Sequence, residues 1–415
     1  MEKEKKVGKN HNASSHLTAY AVFSEGNSVL TFYYDDQEEV RQGLNIDPFN
    51  NKNIPWNGHS GDIQTVVFDD SFADCLLITS TAHWFEGCKN LTTIIGIENL
   101  RTDNVKDMKG MFEWCSSLKS LNLSSLNTSN VVKMDSMFGF CSSLESLDLS
   151  DFSTESAVFL DHMFWNCSSL KSLDVSSFKT YKVTCMTSMF CGCSGLASLD
   201  LSSFNTMNVR DMDGMFANCT RLTHLDLSGF KTDEVIDMSY MFYGCSSLKD
   251  LDLTRFNTTN LFYMASMFKG CKSLLSVNLS GFKTDNVRTM KEMFANCNSL
   301  KKLNLCSFTT GNVTDMAMMF YECNSLKSLD LSNFMPCEVD NMVFMFYDCS
   351  RLKSIMVRND WKLLKLECSD NMFAGCISLV GGNGTTFNDD CLDDYYARID
   401  RDGAPGYFTK ANEQH

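Results

Sequence analysis

The stretch MFYGCSSLKDLDLTRFNTTNLFYMASMFKGCKSL, residues 241–274, contains the motif M-F-x-G-C twice, 26 residues apart. Cysteine returns at this interval along most of the chain, always three residues after a phenylalanine. The series comprises Cys88, Cys115, Cys141, Cys167, Cys193, Cys219, Cys245, Cys271, Cys297, Cys323, Cys349 and Cys376. Nine steps are 26 residues and the two outermost are 27. A self-similar period of roughly 20–50 residues is typical of a solenoid or another repeat array.

One unit, NVRDMDGMFANCTRLTHLDLSGFKT at 208–232, combines two periodicities. Met212, Phe216 and Cys219 recur every three or four residues, which predicts a short helix or 3₁₀ turns. Leu225 and Leu227 alternate with polar residues, which predicts a short strand. Such a unit is too small to bury its own apolar side, so we expect stacked units to bury it jointly.

The pattern L-x-x-L-x-L, with Val at its last position in LKSLDVS at 170–176, resembles a leucine-rich repeat. From Trp84 to about Leu379 the chain resembles the BspA-like family of bacterial leucine-rich repeat surface proteins, and so do the flanks at 20–37 and 381–408. The resemblance implies an α/β repeat solenoid, a leucine-rich-repeat-type right-handed superhelix. Each repeat would hold one short strand and one short helical turn, with caps at both ends. It also implies a cell-surface or extracellular setting and no catalytic residue.

The flanks of the repeats predict separate segments. In AYAVFSEGNSVLTFYY, residues 19–34, two strand-like runs surround a Gly-Asn turn and predict a hairpin. IQTVVF, residues 63–68, predicts a further strand. We predict a flexible leader at 1–15, an N-terminal β-rich cap at 16–80, a leucine-rich-type solenoid of about twelve repeats at 81–379, and a C-terminal cap and tail at 380–415.

Charge and motif content exclude several function classes. The formal net charge is −15, which argues against nucleic acid or an anionic membrane as the main partner. No run approaches 18 consecutive apolar residues, so we expect no membrane insertion. No H-E-x-x-H, G-x-S-x-G or Walker A motif is present. We therefore predict no enzyme, no cofactor and no metal site.

The cysteines are predicted to serve the core. The repeated cysteines occupy one equivalent position and read as small buried hydrophobic residues rather than disulfides. Cys185, Cys191 and Cys193 form a local excess, but no matching His or second C-x-x-C lies nearby to complete a metal site.

The outward positions of the predicted strands carry the candidate site. Their central position is Asp or Asn in repeat after repeat, and mostly Ser lies beside it. In-register carboxylates would repel by about 1–4 kcal/mol per pair. Hydrogen bonds from the serines, raised pKa values or a bound cation would relieve this repulsion. The row is either a hydrogen-bonded ladder that holds the strands or a ligand-facing surface. The candidate ligand-facing residues are Asp148, Asp174, Asp200, Asp226, Asp252, His224, Asp250, Asn278, Asn304 and Asp330.

These observations predict a non-catalytic binding protein. We expect a cell-surface or secreted adhesion scaffold that binds host matrix, cells or glycans through its acidic strand face, with possible weak divalent-cation binding there. The alternative is an intracellular protein–protein interaction scaffold. It is favoured by the lack of a visible signal peptide in 1–15 and by the many thiols, which persist most safely in a reducing compartment.

Overall fold

The computed structural model describes residues 17–46 and 54–411, and the predicted leader at 1–15 lies outside this part of the chain. None of the described helices is long and apolar enough to cross a membrane. The strands are β1 (Thr18–Ser24), β2 (Val29–Asp35), β3 (Leu44–Asn45), β4 (Thr65–Phe68), β5 (Thr93–Ile95), β6 (Ser120–Asn122), β7 (Ser146–Asp148), β8 (Asp250–Asp252), β9 (Ser276–Asn278), β10 (Ser328–Leu331), β11 (Ser354–Val357) and β12 (Phe408–Lys410). The helices are α1 (Glu38–Arg41) and the 3₁₀ helices Asn57–His59, Asp70–Asp74, Ile97–Asn99, Pro336–Glu338 and Asp394–Tyr396.

The N-terminal sheet leads from a hairpin into the repeats. Strands β1 and β2 pair antiparallel, as the sequence predicted, and the turn residues Glu25, Gly26 and Asn27 have positive φ angles. The sheet order is β3-β1-β2-β4-β5. Strand β4 lies parallel to β2, and β5 lies parallel to β4. The last strands of this sheet therefore pair in the same parallel way as the strands of the repeats.

The repeats stack in parallel register, which confirms a repeat solenoid. Ser120 pairs with Ser146 across β6 and β7, a step of one repeat. Strands β8 and β9 pair in the same way, and β10, β11 and β12 form a parallel sheet. A second seam of single parallel bridges runs from Ser80 to Cys368, with one residue per repeat. Neighbouring repeats are therefore joined by one line of bridges along the stack and, at β4-β5, β6-β7, β8-β9 and β10-β11, by strand pairing as well. The segments at 170–176 and 222–228, which the sequence predicted as strands, form no regular strand.

The predicted helical turn is a succession of 3₁₀-type turns. In the second repeat, alternate N–H groups donate to the carbonyl three residues back, as from Cys115 to Phe112 (3.1 Å). The N–H groups between them donate to the next repeat, as from Phe112 to Met137 (2.9 Å). An α-helix would satisfy these donors within its own segment. Here half of them depend on the neighbouring repeat.

Left-handed residues explain why no helix forms. Two positions per repeat have positive φ angles, represented by Gly110 (φ 56°) and Trp114 (φ 65°). A left-handed residue reverses the path of a right-handed helix and is adopted singly rather than in runs. The spacing of apolar residues matches a helix and a string of turns equally well, so periodicity alone could not separate them.

Stacked phenylalanines and cysteines fill the interior. Ring centroids of successive phenylalanines from Phe85 to Phe373 lie 5.5–6.0 Å apart, within the range of favourable offset stacking. The repeated cysteines are buried and free, as predicted. They are also donors: the Cys141 thiol donates to the Phe112 carbonyl at 3.1 Å, and this contact recurs up the stack. Burial raises the pKa of Cys141 to about 12, so the thiol keeps its proton.

A buried threonine joins the corners of adjacent repeats. The Thr206 hydroxyl donates to the Lys231 carbonyl at 2.8 Å and accepts from the Lys231 N–H at 2.8 Å. Thr206 is fully buried, and the same pair of bonds recurs at Thr154 and Thr180. The hydroxyl thus satisfies two backbone groups that would otherwise be buried without partners.

We expect Thr206→Val to lower the free energy of unfolding by about 2–4 kcal/mol, because an isosteric methyl leaves one N–H and one carbonyl of Lys231 unpaired. Urea denaturation measures the change. The matched control is Thr223→Val, since Thr223 is exposed and its hydroxyl makes only a 3.5 Å bond to the Ala197 carbonyl. An equal effect at both positions would contradict a structural role for the corner hydroxyl.

Removal of residues 208–233, one whole repeat in phase, should leave a shorter chain that still unfolds cooperatively, because the new junction restores every inter-repeat bond. Removal of residues 208–220 should instead abolish cooperative unfolding, because it places turns beside strands. Circular dichroism during thermal denaturation compares the two deletions. Loss of folding in the in-phase deletion, with tolerance of the half-repeat deletion, would contradict the stacking scheme.

Candidate functional site

The strand face is the surface formed by outward side chains of the strand segments. In β7, Leu147 is buried while Ser146 and Asp148 on either side are exposed. The same exposed–buried–exposed pattern recurs in β6, β8 and β9. All ten predicted residues are exposed on this face: Asp148, Asp174, Asp200, Asp226, Asp252, His224, Asp250, Asn278, Asn304 and Asp330.

Parallel register brings several predicted residues together. Asp148 pairs directly with Asn122, and Asp252 pairs with Asn278. His224 Nδ1 lies 3.9 Å from Asp250 Oδ1, so a protonated histidine would form an exposed ion pair. The strand face is thus a continuous row of side chains contributed one repeat at a time.

The central Asp or Asn makes a side-chain turn with the residue two positions later, whether or not its segment is a regular strand. Asp174 Oδ1 accepts from the Ser176 N–H at 2.9 Å, and Asn304 Oδ1 accepts from the Cys306 N–H at 3.0 Å. This bond needs a side-chain oxygen but no charge. Asp and Asn therefore serve the fold equally, and the negative charge is additional to the structural role.

Hydrogen bonds keep the central carboxylates ionised. Bonds from the Ser176 hydroxyl and N–H lower the pKa of Asp174. The Ser202 N–H and hydroxyl lower the pKa of Asp200, against a weaker upward effect of the neighbouring aspartates. Bonds from Ser228 do the same for the pKa of Asp226. Of the three ways to relieve repulsion, hydrogen bonding applies here, and these three groups carry full charge at neutral pH.

A hollow interrupts the strand face where the outward side chains change. It is lined by His224, Asp226, Asp250, Asp252 and Arg255, among others. Its lining combines one histidine and one arginine with three aspartates. This gives it a mixed charge, unlike the Ser–Asp surface beside it. It is the most varied part of the predicted site.

The turn face, formed by the 3₁₀-type turns, carries features that the sequence analysis missed. Trp114 and Phe140 stack in parallel with ring centroids 3.7 Å apart, and Trp165 follows at 4.5 Å from Phe140. Trp114 is 41% exposed. Trp114 and Phe140 occupy equivalent positions in adjacent repeats, so the 26-residue register could have revealed this patch.

The local excess of cysteines does not form a common site. The Cys193 thiol donates to the Phe164 carbonyl at 3.1 Å, within the buried series. Cys185 instead contacts the Thr187 hydroxyl at 3.2 Å. Burial raises the pKa of Cys185, Cys191 and Cys193.

Carboxylates of the turn face behave differently from those of the strand face. Burial, followed by the charges of Asp237 and Asp211, raises the pKa of Asp213 to about 6. Burial also raises the pKa of Asp237. The folded protein therefore binds protons at these positions more tightly than an unfolded chain does.

The wild-type protein should lose up to about 1 kcal/mol of stability through Asp213 as pH rises from about 4 to about 6, because the folded state holds that proton more tightly; partial solvent exposure limits the effect. Asp213→Asn should abolish this loss and be more stable than wild type at pH 7. Urea denaturation across this range measures the difference.

Asp226→Asn is the matched control for this pH effect. In wild type the pKa of Asp226 is lowered, so the stability that its carboxylate contributes is present at neutral pH and is lost as pH falls. It should not stabilise the protein at pH 7. A stability difference for Asp213→Asn that is independent of pH would contradict the assignment.

Solved structures of leucine-rich repeat proteins are similar to the chain at low identity. They include one from Bacteroides ovatus (17% identity, 88% of this chain and 92% of that chain, TM-score 0.45) and one from Eubacterium ventriosum (16%, 86% and 92%, TM-score 0.38). A third is a leucine rich cell surface protein from Faecalibacterium prausnitzii (17%, 83% and 96%, TM-score 0.42).

A protein-family model identifies the repeats themselves. No curated protein matches the chain. The model for DUF285, described as a Mycoplasma protein of unknown function, matches three overlapping ranges, 79–198, 171–277 and 264–383. These ranges coincide with the stacked repeats, and the matches indicate no enzyme family. Because they cover most of its length, the chain is a repeat scaffold that belongs to the DUF285 family.

Proposed function

We propose that this protein is a non-catalytic binding scaffold that engages a basic protein segment through its strand face. The observation that carries the proposal is the row of exposed, ionised carboxylates, represented by Asp174, Asp200 and Asp226. A row of like charges repeated once per strand complements an extended chain with spaced lysine or arginine residues. The proposal takes the partner to be a protein of the extracellular matrix or of another cell.

The architecture supports an extended interaction. A repeat array presents one rigid surface, so a long partner can bind with little ordering of the scaffold. We propose a right-handed superhelix in which 81–379 form the binding array. Residues 16–80 and 380–415 would cap its ends.

The proposed setting is the cell surface or the extracellular space, which the sequence resemblance supports. The intracellular alternative drew on the number of free thiols. The repeated cysteines are buried and act as donors, so their survival does not require a reducing compartment. Burial therefore removes this argument for the repeated cysteines, whereas Cys306 and Cys368 are exposed and free.

The triple variant Asp174→Asn/Asp200→Asn/Asp226→Asn should bind an immobilised lysine-rich peptide at least about tenfold more weakly than wild type at low salt. Asparagine already occupies the same position at Asn278 and Asn304, where its Oδ1 accepts the turn hydrogen bond, so the fold should be retained. Surface plasmon resonance at two salt concentrations measures the loss and its screening.

The matched control is Glu155→Gln/Glu234→Gln/Glu367→Gln, which changes the net charge equally at exposed positions away from the strand face. It should retain most of the binding. Equal losses of affinity in both triple variants would show that net charge alone attracts the peptide and would contradict the proposal.

We also propose weak divalent-cation binding on the strand face. Added Ca²⁺ should then raise the unfolding midpoint of wild type progressively, and less so in the aspartate triple variant. An unchanged midpoint would contradict cation binding on the strand face. It would not affect the proposal that this face binds a basic peptide.

A further inference from the structure

Three potential metal ligands meet on the turn face where the first two repeats stack. His83 and Glu86 belong to the first repeat, and Glu113 to the second. One ligand atom from each lies within 4.8 Å of the other two. Glu86 and Glu113 occupy equivalent positions in adjacent repeats, so stacking places the two carboxylates side by side.

The histidine nitrogen in this cluster lacks a hydrogen bond. His83 Nδ1 is buried and has no hydrogen-bond partner within the described ranges. It lies 2.8 Å from Glu86 Oε2, but that oxygen is out of line with the ring N–H direction. A close N···O approach without hydrogen-bond geometry is what a shared cation would stabilise, because both atoms can then act as electron-pair donors.

Two carboxylates lie side by side in this cluster. Glu86 and Glu113 each contribute one oxygen to the group of three close ligand atoms. Lys109 is engaged by Asp135 at 2.6 Å, whereas Lys89 lines the adjoining hollow together with Glu86. A bound cation would neutralise the carboxylate pair directly.

A glycine keeps the space between the ligands open. A Cβ atom at Gly110 would lie 2.9 Å from His83 Nδ1 and 3.1 Å from Glu113 Oε2. Both contacts are tighter than side chains normally make. At the equivalent position the next repeats carry Ser136, His162 and Ser188, so the backbone itself does not demand glycine here.

We propose that His83, Glu86 and Glu113 form a binding site for a divalent transition-metal ion such as Zn²⁺. One imidazole nitrogen with two carboxylates is a ligand set that zinc accepts, and imidazole disfavours Ca²⁺ and Mg²⁺. Three protein ligands leave a coordination position for water or a partner group. This site is independent of the strand face and of the function proposed above.

The site is open to ions and joins two repeats. A hollow lined by Ser60, Lys89 and Trp114, together with Glu86, adjoins the cluster. An ion bound here would connect the first repeat to the second through side chains as well as backbone. It would therefore stabilise the folded protein, because the unfolded chain does not assemble the three ligands.

Zn²⁺ titration of the full reduced chain by calorimetry tests the proposal. His83→Asn and Glu113→Gln should each weaken the affinity of one site at least about tenfold. Asparagine tolerates the left-handed backbone of His83 (φ 62°). Zinc bound to exposed thiols elsewhere would be common to all proteins compared, so the difference between variants isolates this site.

His162→Asn is the matched control. His162 occupies the same repeat position, has a similar φ of 59°, and lies 3.4 Å from Asp161, but it belongs to no group of three close ligands in the described chain. Its loss should leave zinc affinity unchanged. Equal affinity in wild type, His83→Asn and Glu113→Gln would overturn the proposal.

Thermal unfolding supplies a second measurement that does not rely on the titration. In EDTA, Glu113→Gln should unfold at the wild-type temperature or above it, because one of two like charges is removed. Zn²⁺ should raise the midpoint of wild type but not of Glu113→Gln. An equal rise with Zn²⁺ in both proteins would count against the site. Any rise with Ca²⁺ should be the same in wild type and in Glu113→Gln, because both keep the strand face unchanged.

Discussion

Half of the N–H groups in each turn segment find a hydrogen-bond acceptor only in the next repeat. The N–H of Phe112, for example, donates to Met137 of the following repeat, and the same bond recurs along the stack. Because an unpaired buried N–H is costly, each repeat must hold its neighbour at one fixed register. The constant 26-residue period follows from this requirement, and the only 27-residue steps in the cysteine series are the outermost two.

Several side chains serve the stack by completing the backbone bonds. The thiol of Cys141 donates to a carbonyl of the preceding repeat, and the hydroxyl of Thr206 satisfies two backbone groups of the following one. Asp174 accepts from the Ser176 N–H and so closes a turn within its own repeat. These positions are tied to particular residue types by their hydrogen bonds. The Asp row that is proposed to bind a partner therefore also serves the fold, through a bond that Asn304 makes equally well.

The two faces differ in how they treat acidic residues. On the strand face, exposure and hydrogen bonds from serine lower the pKa of Asp200. On the turn face, burial raises the pKa of Asp213 and Glu113. A carboxyl group on the strand face therefore stays ionised at neutral pH, whereas one on the turn face has a raised pKa. Long-range attraction suits the first environment, whereas proton or metal binding suits the second.

The period, the buried phenylalanines and cysteines, and the exposure of the Asp row could all be predicted from the sequence, because each depends on residue identity at a fixed repeat position. The sequence could not distinguish a helix from a string of turns, because both place apolar residues three or four apart. Only the tertiary structure decided that left-handed residues such as Trp114 divide this segment. It alone also brought His83 next to Glu113, because that contact crosses two repeats and depends on the space left at Gly110.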